Sequence, residues 1–270
     1  MLTIKEIQDA IAEKAPGSWE AGETTVWRRF GEADGSGLFG LRITDNQSRL
    51  KAAAENFDEM IAPPLPPRVD WRVDGGGLLG PVRDQGLDCG ACVAFATIAT
   101  VEARHLVATG VRVELSEAEL FHCNGGSCDL GWGLAAGLDA AHGGVARLED
   151  APWRDDPKCI GAAGVVRVAS FAELTGFDAR RRAVAKGPVV GGMQVFEDLS
   201  GYVDGIYRHV VGGFRGNHAV CVVGYDDTVG CWIARNSWGP GWGAEGYFRI
   251  AYGECKIDEM PFYSCETEAV

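Results

Sequence analysis

The chain has 270 residues, 46% hydrophobic and 23% charged, with 38 glycines and nine cysteines. That length supports one or two compact domains with a real core. The formal net charge of −13 argues against a nucleic-acid partner, whose phosphates call for clustered Lys and Arg; the one tight basic cluster, Arg180, Arg181 and Arg182, reads as the solvated face of a short helix. No run approaches 18 apolar residues, so no membrane span is expected. The opening stretch, MLTIKEIQDAIAEK, lacks the basic-then-apolar pattern of a secretory signal.

Thr3 with Glu6 forms a capping box. Ile4, Ile7 and Ile11 then share one face of an amphipathic helix. A glycine-rich turn, GEADGSGLFGLR, follows, and SRLKAAAENFDEM (48–60) reads as a second helix. This region holds no cysteine and too few apolar residues for a core of its own. Next comes APPLPPRVDW (62–71), whose prolines hold the chain extended, without helix or central strand. We read it as a linker between a small leader and a main domain that contains all nine cysteines.

In the main domain, CVAFATIATVEARHLVA (92–108) has the length and apolar content of a long buried helix. Ser116 with Glu119 marks a second capping box. GWGLAAGLDAAHGG is a small-residue helix ended by glycines, and DARRRAVAKGP is a short helix stopped by Gly187 and Pro188. The texture then changes to strands: VVGGMQV, HAVCVVGYD, CWIARNSW and GYFRIAY. Helices first and antiparallel strands second imply an α+β, two-lobed architecture with a cleft between the lobes.

The stretch QGLDCGACVAF poses the functional question, because Cys89 and Cys92 lie three apart. A thioredoxin-like redox pair needs a preceding βαβ pattern, which is missing here. A zinc site from Cys89, Cys92, Cys123 and Cys128 has a gap unlike common closed sites. The remaining reading puts Cys92 at the N-terminus of the long helix, where orphan backbone N–H groups and the helix dipole favour a thiolate. Nine cysteines suit this: eight pair and one stays free.

A catalytic thiolate needs an imidazole, and the imidazole needs an orienting group. Of the five histidines, His105 lies inside the helix and is read as structural. His122 and His142 sit at helix ends or in loops, and His209 falls in a glycine-bounded, exposed stretch. His218 opens an apolar strand, NHAVCVVGY. Asn236 follows 18 residues later, after a turn and the next strand. A hairpin brings the two together, with Trp238 as a shield from water.

PVRDQGLDCGACVAFA, LSEAEL, NHAVCVVGY and NSWGPGWGAEGYFRI resemble the motifs of the papain-like cysteine peptidases, in the family's order. Cys92 and His218 are 126 positions apart, slightly under the usual separation of about 130–150. The resemblance spans Leu65 to Cys265. It implies a two-lobed papain-like fold, with a helical left lobe and an antiparallel β-barrel-like right lobe around a cleft. By the same resemblance Cys92 is the nucleophile, His218 its ion-pair partner and general acid, Asn236 the orienting residue, and Gln85 an oxyanion-hole donor with the Cys92 N–H. Residues 1–64 resemble a propeptide and 65–270 the peptidase domain, with a processing region at LPPRVDW. The leader is short and lacks the spaced Glu, Arg, Phe and Asn pattern of long helical propeptides.

Departures from the family pattern sharpen the expectations. Position 93 is Val where most relatives carry Trp. One residue more than papain has separates Gln85 from Cys92, so the oxyanion loop must bulge. CDLGWG replaces the usual glycine wall and puts Leu130 beside the substrate. The candidate cleft lining is Leu130, Gly131, Trp132, Asn217, Trp238 and Met260. Met260 at the base of the S2 pocket favours an apolar P2 residue, whereas a displaced Glu259 would allow Arg. The resemblance also implies the disulfides Cys89–Cys128 and Cys123–Cys159. Cys221, Cys231, Cys255 and Cys265 are left open, either as the local pairs Cys221–Cys231 and Cys255–Cys265 or with a buried free Cys221.

The expected activity is that of a cysteine endopeptidase made as a zymogen. The alternatives are an exopeptidase or transpeptidase on the same scaffold, and a catalytically silent binding protein. Expected partners are polypeptide substrates, the chain's own leader and protein inhibitors, with the protein monomeric and no cofactor or metal. Disulfides imply a secreted, periplasmic or lysosome-like compartment.

Overall fold

In a computed structural model, residues 2–30, 36–43, 64–74, 79–154 and 158–270 are described. The helix expected over 48–60 lies outside them. Helix α1 (Ile4–Lys14) starts with the full capping box: Thr3 Oγ accepts from Glu6 N–H, and the Glu6 carboxylate accepts from Thr3 N–H. Its Ile7 and Ile11 are buried. Strand β1 (Trp19–Ala21) and helix α2 (Thr25–Phe30) follow, then a 3₁₀ turn over Ser36–Leu38.

Residues 68–70 of the expected linker form a strand, β2 (Arg68–Asp70), paired antiparallel with 224–226. The prolines stop at Pro67, so each residue from Arg68 on can donate to a ladder. Helix α3 (Cys92–Thr109) ends at Gly110, whose left-handed φ of 73° lets its N–H reach the Leu106 carbonyl. Among the described residues it is the one helix long and apolar enough, by length and composition, to cross a membrane. Since 83% of it is buried inside the fold, it is a core helix. Helix α4 (Glu117–His122) receives only half of its expected box. Ser116 Oγ accepts from Glu119 N–H, but Ser116 N–H goes to the Ala146 carbonyl instead of to Glu119. Helix α5 (Leu134–Ala140) completes the helical layer.

Strands β3 (Val145–Ala146) and β4 (Gly164–Glu173) precede helix α6 (Phe177–Lys186). Then come β5 (Val189–Phe196), β6 (Tyr202–Tyr207), β7 (Phe214–Asp226), β8 (Cys231–Arg235), β9 (Tyr247–Ala251) and β10 (Phe262–Ala269). The sheet runs β1-β6-β9-β8-β7-β5-β10-β4-β3, with β2 paired to β7 off this path. All pairs are antiparallel except β6 with β9, which departs from the expected all-antiparallel lobe.

Two cores result. One packs Val93, Phe95 and Ile98 of α3 against Leu120, Phe121 and Leu138. The other centres on Tyr202, Tyr207, Trp232, Trp242 and Phe248, and it includes Ile7, Ile11, Trp19, Val26, Phe30 and Leu38 of the leader. The described residues of the leader thus form no core cluster of their own and join that of the right lobe, as its composition required.

Three expectations need correction. Arg180 is not solvated: it is 5% exposed, its guanidinium lies 4.5 Å from the Phe262 ring, and it donates to the Ile257 and Met260 carbonyls. His209 is half-buried, stacked on Phe196 with Nδ1 3.1 Å from the buried Asp198 carboxylate. The disulfides Cys89–Cys128 and Cys123–Cys159 form as expected, but Cys92, Cys221, Cys231, Cys255 and Cys265 are all unpaired and buried. Five free thiols replace the expected one. Register explains the first open pair: Cys221 faces Arg235 and Cys231 faces Asp226, so the two sulfurs are not cross-strand neighbours. The second pair is divided between cores, Cys255 in the right-lobe cluster and Cys265 in the left.

Candidate active site

The Cys89–Cys128 bridge removes both the redox pair and the four-thiolate zinc set, because Cys89, Cys123 and Cys128 are all bonded elsewhere. The one metal-like cluster among the described residues, Glu119 with Cys123 and Cys159, likewise has both sulfurs in a disulfide. Cys92 is left as a free thiol in the first turn of α3.

His218 sits within β7, and Asn236 follows β8, the neighbouring antiparallel strand. Asn236 Oδ1 is 2.8 Å from His218 Nε2 and also accepts from the Ser237 N–H at 2.8 Å. The backbone donor fixes the amide with its oxygen toward the ring, so Nε2 carries the proton. The Trp238 ring centroid lies 5.0 Å from that of His218. Gln85 is tied to the same segment: its N–H reaches the Ser237 carbonyl, and Ser237 Oγ donates to Gln85 Oε1 at 2.6 Å. Gln85 Nε2 is thereby turned the other way and donates to the Cys89 carbonyl at 3.0 Å. Sequence reasoning missed Ser237, although it stands inside the quoted NSW segment.

The leader crosses these residues. Gln85 Nε2 is 3.4 Å from the Leu38 carbonyl oxygen, which also lies against His218. The Gly40 N–H points to the Cys92 sulfur. Trp132 N–H donates to the Gly40 carbonyl, and Arg42 N–H to the Trp132 carbonyl. Leu41 N–H donates to the Asn217 carbonyl. Gly40 fits because nothing larger can: a Cβ there would stand 1.9 Å from the Gly90 oxygen. One on Gly131 would stand 1.8 Å from the Gly40 oxygen. The Phe39 ring packs on Trp238 and His218, and Leu41 joins Met260 in one apolar cluster beside Gly192.

Five of the six expected lining residues therefore meet the leader, namely Gly131, Trp132, Asn217, Trp238 and Met260. Trp132 and Asn217 do so through backbone groups. Leu130 does not: it is 69% exposed, with its N–H turned to Ser127 Oγ. Glu259 is exposed while Met260 is buried. Val93 is buried, with its side chain against Gly137 of α5.

Under the leader, the electrostatics oppose an ion pair. Burial pushes the Cys92 thiol up, against the N–H groups of Ala219 and Gly40 and those of the helix start. Burial likewise lowers His218 to about 4, against the Asn236 and Leu38 oxygens. Both directions favour neutral thiol and neutral imidazole, the reverse of the thiolate expected from the helix end.

This arrangement can be compared with known proteins. Residues 65–265 match the papain family of cysteine proteases. The chain belongs to that family. It is 34% identical over 241 residues to oryzain beta chain of Oryza sativa subsp. japonica, covering 82% of this chain and 51% of that one. It is 29% identical to cathepsin B-like CP3 of Giardia intestinalis, covering 96% of this chain and 92% of that one. A procathepsin B from Trypanosoma congolense superposes with a TM-score of 0.84 at 26% identity, covering 99% of each chain. The chain spans about half to two thirds of the length of the first plant relatives it matches. The two-lobed α+β fold is that of these papain-family members.

Proposed function

We propose that this protein is a cysteine endopeptidase that is held inactive by its own leader. The observation that carries the reading is the backbone of Leu38–Arg42 lying over Cys92, His218 and Gln85. With the leader gone, water re-enters, and the thiolate–imidazolium pair becomes accessible. The Cys92 thiolate attacks a peptide carbonyl carbon. The negative charge on its oxygen is met by Gln85 Nε2 and the Cys92 N–H, in the region where the Leu38 oxygen now lies. His218 gives its proton to the leaving amine as the C–N bond breaks, leaving a thioester on Cys92. Water, deprotonated by His218, then breaks the C–S bond and restores the thiol. Asn236 Oδ1 holds the ring by Nε2–H throughout.

Leu41 beside Met260 supports an apolar P2 preference, and the exposed Glu259 does not reach that site. The two disulfides fit an oxidising environment, which supports a secreted, periplasmic or lysosome-like setting. The test incubates the full-length chain with reductant across pH 4 to 7. Intact mass and turnover of a fluorogenic peptide with an apolar P2 residue are followed beside C92A. Loss of roughly 60 N-terminal residues together with rising turnover, both absent in C92A, is the expected result. Full turnover by the unprocessed chain overturns the inhibitory leader; no turnover and no labelling of Cys92 after leader removal overturns the peptidase.

A further inference from the structure

A small void of about 10 Å³ lies behind the Asn236 side chain, lined by Phe95, Ala219, Ser237, Asn236, Arg83 and Glu117 among others. That is close to the smallest volume that holds one water. Two of its lining residues carry a buried polar atom without a protein partner, Asn236 Nδ2 and Glu117 Oε2. The residues are 4% and 2% exposed. Burial pushes the Glu117 carboxyl up to about 7, and a single water that accepts from the Asn236 amide serves Oε2 in either form, donating to the carboxylate or accepting from the acid.

Glu117 is itself firmly held. Its Oε1 accepts from Arg83 Nη1 at 2.5 Å, while Arg83 Nη2 donates to Glu102 Oε1 at 2.7 Å. Burial opposes the Arg83 charge, but the two carboxylates outweigh it and keep the guanidinium protonated. Arg83 is two residues from Gln85, and its carbonyl accepts from Gly239 N–H. The cluster thus ties the Gln85 segment, the Asn236–Gly239 segment, α3 through Glu102 and α4 through Glu117.

We propose that one water fills this void and bridges Glu117 to Asn236, making Glu117 a positioning residue for the Asn236–His218 pair. The bridge holds the Asn236 amide from the side that Ser237 N–H and His218 do not reach. Its kinetic consequence rests on the peptidase reading above; the water itself does not.

The matched pair E117Q and E102Q tests this, because both remove one carboxyl partner of Arg83 and only Glu117 borders the void. In leader-free enzyme, E117Q is expected to lower kcat about tenfold with KM unchanged, and to shift the His218-dependent limb of the pH–rate profile. E102Q is expected to lose comparable thermal stability while keeping the wild-type kcat and that limb. Equal kinetic losses in the two variants, or none in E117Q, overturn the proposal. A high-resolution crystal structure of the full-length C92A chain decides independently of turnover. Density for a water within hydrogen-bonding distance of both Glu117 Oε2 and Asn236 Nδ2 supports it, and a dry void overturns it.

Discussion

Residues 2–30 of the leader bury Ile7, Ile11, Trp19, Val26 and Phe30 in the right-lobe core, and β1 adds a strand beside β6. Residues 36–43 instead cross the cleft mainly through backbone hydrogen bonds and a glycine squeezed between Gly90 and Gly131. The first region is an anchor of apolar area, non-directional and large in free energy. The second is a directional plug, whose fit depends on the absence of a Cβ. A leader that inhibits as proposed can lose its plug while the anchor still holds it near.

The largest expected effect comes from breaking the anchor. Trp19 packs on Tyr202 and Tyr207, with ring centroids 6.1 and 5.1 Å away. W19A should weaken leader docking by about 3–5 kcal/mol, read as a lower melting temperature and faster proteolysis of the leader. Acid comes next. His218 is lowered to about 4 in the closed state, against an ordinary value of 6.5. In C92A, where no thiolate can pair with the ring, the open form binds more protons between those values, so closure gains stability as pH rises and loses it as pH falls. At 1.36 kcal/mol per unit, closure of C92A weakens by up to about 3 kcal/mol between pH 6.5 and 4. Cleavage of the C92A leader by an added protease, relative to an unstructured control peptide, should therefore speed up over that window; a ratio flat from pH 7 to 4 would contradict the neutral imidazole.

A change confined to the plug should be smaller. G40A forces an overlap with the Gly90 carbonyl and should cost about 1–3 kcal/mol. Turnover by the uncut chain should rise while its melting temperature stays near that of the wild type. The smallest effect is on selectivity: M260A should reduce preference for Leu at P2 by roughly tenfold, measured as relative kcat/KM on paired peptides.

Legibility in the sequence followed the range of the interactions. The α3 helix and the His218–Asn236 hairpin were readable because apolar runs and turn residues act locally. Arg180 was misread because its carbonyl partners at Ile257 and Met260 lie some 80 residues downstream. Strand β4 and strand β10 went unnoticed, since their exposed faces carry too many polar residues for a plain apolar run. The state of Cys221 and Cys231 depends on strand register, which no spacing discloses. In the site, the family motifs named Cys92, Gln85, His218 and Asn236. The leader segment that meets them was invisible, because it binds through backbone and through a glycine with no pattern of its own.

The most direct measurement of the central claim is the alkylation rate of Cys92 by iodoacetamide at pH 6, in the intact chain and after proteolytic removal of the leader, with the modified residue identified by peptide mass. A covered, neutral thiol predicts slow labelling of the intact chain and labelling faster by at least about a hundredfold once the leader is gone. Equal rates in the two forms would contradict the account.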